Sequence, residues 1–510
     1  MERSRARSLL DQIAASDIDL LAGLPASEVT RLNEQDSKAK ARLASLEQQL
    51  KLNANRHDLT STARKQEERR LITELVQARK QLVTVYQSIQ NVSPAYRLSM
   101  RENNEPLSLK QLKTQVAAQQ GVFLEYLLGN KEGYLLAIPS GETPQVFRLR
   151  VSAEQAEMLG IQAGPLTLEV MTKILFNEQK EGILDLLKDE QNSGRAATQL
   201  AELYKILIPE ELRSRLTTGS VKRLMIIPDG PLTLLPFEAL VVEQIDNKPT
   251  YLQDVGPPIM YAPSATVLSN LSQRPVDQNQ QAPRKALTLG DPDYPKTESN
   301  SSRSAVETVS SRSRYSLVGG SLPDLPYTAS ESSWIVDHFR KAGLETTQLL
   351  KSQATESNLR RNAKGCQYLH LACHGLTDQN YGNFFGALAM TPGKTPTDEF
   401  HDDGFLTLAE IYELNLSGCE LAILSACETN YGPQQKGEGV WSLSRGFLVA
   451  GARRVVASNW LVDDEAAASM MSYYCGYLAQ AEEEQQKPDY SQALHDARKW
   501  VREQKKWSSP

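Results

Sequence analysis

The sequence predicts an α/β protein: a mostly parallel sheet flanked by helices, preceded by an N-terminal helical hairpin. Two observations predict it. In the C-terminal half, short continuous apolar runs recur as RLMIIPDG, KALTLGDP, QYLHLACHG, LAILSACET and RRVVASNW, each closing on Gly, Asp, Asn or another polar residue, with helical segments between several. Continuous apolar strands alternating with helices belong to parallel sheets covered on both faces. In the first ~95 residues, by contrast, leucines fall at the 3–4-residue spacing of helices.

The hairpin comes first. Leu43, Leu46 and Leu50 share one helical face, and Leu71, Leu75, Ala78, Leu82 and Val85 share another. The polar stretch NANRHDLTSTARKQ separates them, and Ser93-Pro94 ends the second run. Next, VFLEYLLG, GYLLAIP and QVFRLRV read as a small β-meander, followed by a mostly helical stretch to about residue 218. The expected units are a helical region over 1–100, a β-rich then helical part over 105–220, and the main α/β core over 221–510. Within the core, about 273–322 is polar and Ser-rich and reads as a mobile surface insertion. Arg303, Arg312 and Arg314 would be exposed there, so self-cleavage stands beside the plainer reading of a tolerated loop.

Composition narrows the function. With 510 residues, 40% apolar and 23% charged, the chain is an ordinary globular one of several units. A net charge of −6 argues against a dedicated nucleic-acid binder, which usually carries a basic face. The start, MERSRARSLLDQ, lacks the apolar core of a signal peptide, and no run is long and apolar enough to span a bilayer. Five cysteines are no disulfide framework and fit a reducing cytoplasm.

Ligands of parallel sheets bind beyond the carboxyl ends of the strands. His374 ends QYLHLACHG, with Gly375 allowing a sharp turn, and Cys427 ends the apolar run of LAILSACET. Thr407 and Glu410 form a T-x-x-E capping box that opens a helix, LAEIYELN, in the crossover between the two strands. Neighbouring strand ends would set an imidazole beside a thiol, the usual means of making a thiolate nucleophile. Backbone N–H groups of Gly375 and Cys427 are candidates for an oxyanion hole. Spacing alone leaves a core cysteine as the commoner reading. His370 reads as a packed or supporting residue, and Cys366, Cys373, Cys419 and Cys475 as structural. A zinc site is disfavoured, because a strand throws Cys366, His370, Cys373 and His374 onto opposite faces. No nucleotide, dinucleotide or serine-hydrolase motif is present.

HLACHG, LAILSACET, the GEG of Gly437–Gly439 and GARRVVASNWLVDDEAA together resemble the CHAT domain, a caspase-like module found with tetratricopeptide repeats. RLMIIPDGPLTLLPFEAL and YLQDVGPPIMYAPSATVL resemble its earlier strands, so the likeness runs over about 105–510. The resemblance implies a caspase- and separase-related fold, a His374–Cys427 dyad, and an N-terminal region that is the tail of a repeat array. By likeness to separase, the acids of WLVDD, Asp463 and Asp464, are candidates for a P1 pocket that binds Arg or Lys. The plainer alternative is that they cap the following helix. Upstream repeats are fewer than in the family, and its last aromatic strand is missing, so the sequence reads as trimmed at both ends.

The expected function is therefore a cytoplasmic cysteine endopeptidase acting on protein substrates, in bacterial signalling or defence, with no metal or organic cofactor. A regulatory protein partner would act through the N-terminal helices. A catalytically silent scaffold, or a transpeptidase or deamidase using the same dyad, are the alternatives.

Overall fold

A computed structural model of the chain describes residues 26–54, 60–92, 107–177, 182–187, 192–246, 248–273, 284–294, 322–378, 383, 386–393, 402–432, 434–435, 439–440, 442–460 and 462–507. Helices α1 (Ala26–Ala54) and α2 (Ser61–Val92) form the hairpin that the leucine spacing predicts. Leu43, Leu46 and Leu50 bury against Leu71, Leu75, Ala78 and Leu82, with Val85 partly buried at the edge. The hairpin rests on the rest of the chain: Ala409 packs into its core, and Lys40 Nζ lies 3.9 Å from the Glu413 carboxylate.

Helix α3 (Leu109–Ala118), opened by a Ser108–Gln111 capping box, leads into the expected meander of β1 (Gly121–Leu128), β2 (Gly133–Pro139) and β3 (Gln145–Val151). Strand β4 (Gly164–Pro165) extends its outer edge, and α4 (Ser193–Leu207) packs Leu200, Leu203 and Leu207 into the same core. On the inner edge β1 pairs in parallel with β5 (Arg223–Ile227), and β5 pairs in parallel with β6 (Ile259–Tyr261). This corrects one expectation. RLMII is a strand, but it completes the sheet of the meander rather than the parallel core, and the break expected at 220/221 falls inside that sheet. An apolar run identifies a buried strand without naming its neighbour.

The second sheet contains β7 (Lys285–Pro292), β8 (Glu345–Lys351), β9 (Tyr368–Ala372), β13 (Leu421–Ser425) and β14 (Val455–Val456), all parallel, in the order β8-β7-β9-β13-β14. Helix α5 (Thr328–Lys341) joins β7 to β8, and α6 (Glu356–Ala363) joins β8 to β9. One face is covered by α6, α7 (Leu408–Ile411) and α8 (Leu443–Val449); α5, α9 (Asp464–Glu483) and α10 (Tyr490–Glu503) cover the other. The expected fold class, a helical hairpin followed by a helix-flanked parallel sheet, is thus present. Within the range read as an insertion, 284–294 carries the β7 strand; 274–283 and 295–321, with Arg303, Arg312 and Arg314, lie outside the described residues.

The crossover from β9 to β13 differs from expectation. Its first part is a small antiparallel sheet of β10 (Gly375–Leu376), β11 (Ala387–Ala389) and β12 (Phe405–Thr407). The Thr407–Glu410 capping box does form, but α7 stops after one turn. Leu414 and Leu416 both bury in the core, a spacing of two that a continuing helix cannot satisfy.

Candidate active site

The site follows from strand register and alternation. In the parallel pairing of β9 with β13, Tyr368 faces Leu421 and Ala372 faces Ser425, so His374 and Cys427 each stand two residues beyond the last pair. Leu369, Leu371 and Cys373 share a buried cluster with Ala422, Leu424 and Ala426, whereas Tyr368, Leu421 and Ile423 belong to the cluster under α5 and α9. Carried one step past the strand ends, this alternation assigns His374 and Cys427 to the α5–α9 face. The two ends also touch. A Cβ on Gly375 would lie 2.1 Å from the Cys427 carbonyl oxygen, so only glycine lets the backbones approach this closely.

Half-buried His374 is held on several sides. Its N–H donates to Tyr294 Oη at 3.2 Å, its carbonyl accepts the Ala389 N–H at 2.9 Å, and the rings of Tyr294 and His374 lie 5.2 Å apart. Its Nε2 is 2.8 Å from the Pro323 carbonyl oxygen. A carbonyl can only accept, so Nε2 carries a proton, and in the neutral ring the lone pair is on Nδ1. No sequence signal pointed to Pro323 or Tyr294, because the first contributes a backbone atom and the second sits at the end of a different strand.

Cys427 is also half-buried, while the other four cysteines are buried, as their structural reading expects. Burial pushes its thiol above the ordinary value, and the charges of Glu428 and Asp464 add to the rise; a hydrogen bond from the Val462 N–H opposes them. The next residue, Glu428, has φ 55°, a left-handed conformation that costs a non-glycine residue ~1 kcal/mol or more. The loop is braced from outside. Asn430 N–H donates to Ser458 O at 2.8 Å, its side-chain amide donates to Asn459 Oδ1 at 2.8 Å, and Asn459 reaches Leu234 O. Trp460 and Tyr431 pack on the core of the first sheet.

Of the two candidate acids, exposed Asp463 is the N-cap of α9, accepting the Ala466 N–H at 2.8 Å. Asp464, half-buried, accepts the Tyr327 N–H at 3.0 Å. Burial raises its carboxyl above the usual range, helped by Glu331 and Asp463, while the nearby His374 opposes the rise. Behind the site, His370 Nε2 is 2.8 Å from Glu331 Oε1, with both side chains buried. His338 contacts Ser472 and His495 contacts Gln253, while His57 and His401 lie outside the described residues, as do Gly437 and Glu438 of the GEG motif. Among the described residues no group of three His, Cys, Asp or Glu side chains could hold a metal ion, and no helix is long and apolar enough to cross a membrane. A cavity of about 750 Å³ opens between Ile259–Tyr261 and the segment of β14, but neither His374 nor Cys427 lines it.

The CHAT domain family model matches residues 198–510. This chain belongs to the CHAT domain family. Its meander, β1 to β3, precedes the matched residues of the CHAT domain. Among solved structures the chain is similar to the Arg-specific cysteine proteinase gingipain R, at 9% identity and a TM-score of 0.35, over 69% of this chain and 68% of that one. No curated protein matches it.

Proposed function

We propose that this CHAT domain is a cysteine endopeptidase in which Cys427 is the nucleophile and His374 the acid–base. One observation carries the reading: the Pro323 carbonyl holds the Nε2 proton of His374, leaving Nδ1 as a base two residues beyond the last pair of β9 with β13, as Cys427 is on the neighbouring strand. Proton transfer from the thiol to Nδ1 yields a thiolate and an imidazolium whose Nε2–H stays bonded to Pro323 O. The thiolate adds to the scissile carbonyl, whose oxygen takes the negative charge beside the N–H groups of Cys427 and Gly375. His374 then passes its proton to the leaving amine, giving a thioester and a free amino terminus. Water, deprotonated by His374, hydrolyses the thioester and restores the thiol.

A basic P1 residue fits half-buried Asp464, which lies near His374, better than exposed Asp463, the N-cap of α9. A partner on the N-terminal hairpin would reach this region through Ala409 and Glu413, which lie on the crossover between the two catalytic strands. The second reading, a silent scaffold, is favoured by the raised Cys427 thiol, which keeps the nucleophile protonated at rest. Fluorogenic peptides with Arg, Lys, Asp or Asn at P1 separate the two. Cleavage of the Arg or Lys peptides that vanishes in Cys427→Ala supports the peptidase, and no cleavage by any form, with Cys427 alkylation unchanged in His374→Ala, supports the scaffold.

A further inference from the structure

His370 and Glu331 form a buried pair that the dyad mechanism does not use. His370 is 2% and Glu331 1% exposed, their side chains meet at 2.8 Å, and His370 Nδ1 is buried without a hydrogen-bond partner. A polar pair this deep costs desolvation, and a Leu or Met pair would fill the space without that cost. Its position gives it a use. His370 lies on β9, four residues before His374. Glu331 lies in the first turn of α5, whose N-cap is Tyr327.

That turn delivers two groups to the site. Pro323 O, in the segment entering α5, accepts the His374 Nε2–H, and the Tyr327 N–H holds the Asp464 carboxylate. Glu331 N–H itself donates to Tyr327 O at 2.8 Å, so carboxylate and helix entry are tied through one residue. The other fastenings of α5 to the sheet run to β7 and β8: Thr288 Oγ1 to Ser332 Oγ at 2.8 Å, the Asp291 N–H to Thr328 Oγ1 at 3.0 Å, and the Gln348 side-chain amide to Ser332 Oγ at 3.2 Å and Ser333 Oγ at 3.1 Å. Among these bonds the His370–Glu331 pair is the one made to β9, the strand that carries His374.

We propose that His370 and Glu331 are positioning residues: their hydrogen bond sets α5 against β9 so that Pro323 O meets His374 Nε2, fixing the tautomer and direction of the imidazole. This rests on the assignment of His374 as the base for Cys427. The groups whose charge is felt around the pair are Asp464 on α9, Cys373 after β9 and Cys475 on α9. None of these offers His370 Nε2 an alternative acceptor at hydrogen-bond distance in this structure.

The test uses the full chain and iodoacetamide, reading alkylation of Cys427 by peptide mass from acid to alkaline pH, with cleavage of the P1-Arg peptide and thermal melting measured alongside. Glu331→Ala is expected to slow alkylation at neutral pH about tenfold and to turn its pH profile into that of His374→Ala, as losses of supporting hydrogen bonds do. Glu331→Gln, whose amide oxygen still accepts from His370, should stay within about twofold of the wild type. Should Glu331→Ala fail to fold, His370→Gln replaces it, with the same slowing expected. A folded Glu331→Ala or His370→Gln with wild-type alkylation at every pH overturns the proposal, and so does a wild type whose profile is unaffected by His374→Ala. A wild type that alkylates with a His374-dependent profile yet cleaves no peptide leaves the positioning pair standing and removes the peptidase assignment instead.

Discussion

Gly375 and Cys427 meet backbone to backbone, with the position of a Gly375 Cβ only 2.1 Å from the Cys427 carbonyl oxygen. No rotamer change can relieve that contact, because the obstacle is main chain. Gly375→Ala is therefore expected to push the ends of β9 and β13 apart, at a cost of about 1–3 kcal/mol in stability. A shift of even 1 Å between reacting groups lowers turnover by about 10²-fold. Urea unfolding and peptide cleavage measured on the same sample check both effects; full activity in the variant would contradict the geometry.

Removing either member of the dyad should separate chemistry from fold. Cys427→Ala is expected to abolish turnover, and His374→Ala to lower it about 10²–10⁴-fold. Both side chains are half-buried at strand ends, outside the main apolar clusters. Circular dichroism and melting should therefore be close to wild type in both variants.

The thiol of Cys427 gives a signed pH dependence. Burial and the Glu428 and Asp464 charges raise it, so the resting protein holds the neutral thiol at neutral pH. In His374→Ala, where no imidazole assists, reactivity toward an alkylating agent should climb as pH rises, reaching its plateau above that of free cysteine. In linkage terms, the stability gained from keeping the thiol neutral is fully present below the ordinary thiol pKa and is lost as pH climbs through the raised one. Glu428→Gln removes one of the charges and should move the alkylation midpoint to lower pH. An unmoved midpoint would mean that Glu428 does not contribute to the rise.

Glu356 offers a second signed case, away from the site. Its side chain is fully buried, and one carboxylate oxygen accepts the Gly404 N–H at 2.9 Å and the Phe405 N–H at 3.1 Å while the other has no partner. Burial first, then Glu410 and Asp403, push its carboxyl well above the usual range, opposed by the Gly404 N–H and Arg360. The protonated form is thus the one that the fold prefers. Its contribution is complete below the ordinary carboxylate pKa of ~4.3 and declines as pH rises toward the shifted value. Glu356→Gln, neutral at every pH, should match the wild type in mild acid and gain on it in urea midpoint toward alkaline pH. A difference that does not change with pH would place the carboxyl's proton affinity back in the normal range.

Much of this protein was legible as sequence. Leucine spacing picked out the residues that the hairpin buries, and period-two alternation sorted the side chains of β9 onto two opposite faces. The apolar runs that stop at His374 and Cys427 marked two strand ends. These features are local: each follows from helix or strand periodicity within one segment. The pairing of strands was not local. Arg223–Ile227 and Leu421–Ser425 are both short apolar runs, and only burial against particular neighbours sends the first to the meander and the second beside β9. The Pro323 carbonyl and the Glu331 carboxylate were hidden for the same reason, since a backbone oxygen carries no residue signature and a glutamate in a helix reads as solvated until packing buries it. Tertiary structure alone decided which nitrogen of His374 holds the proton, because that depends on a contact between segments 51 residues apart.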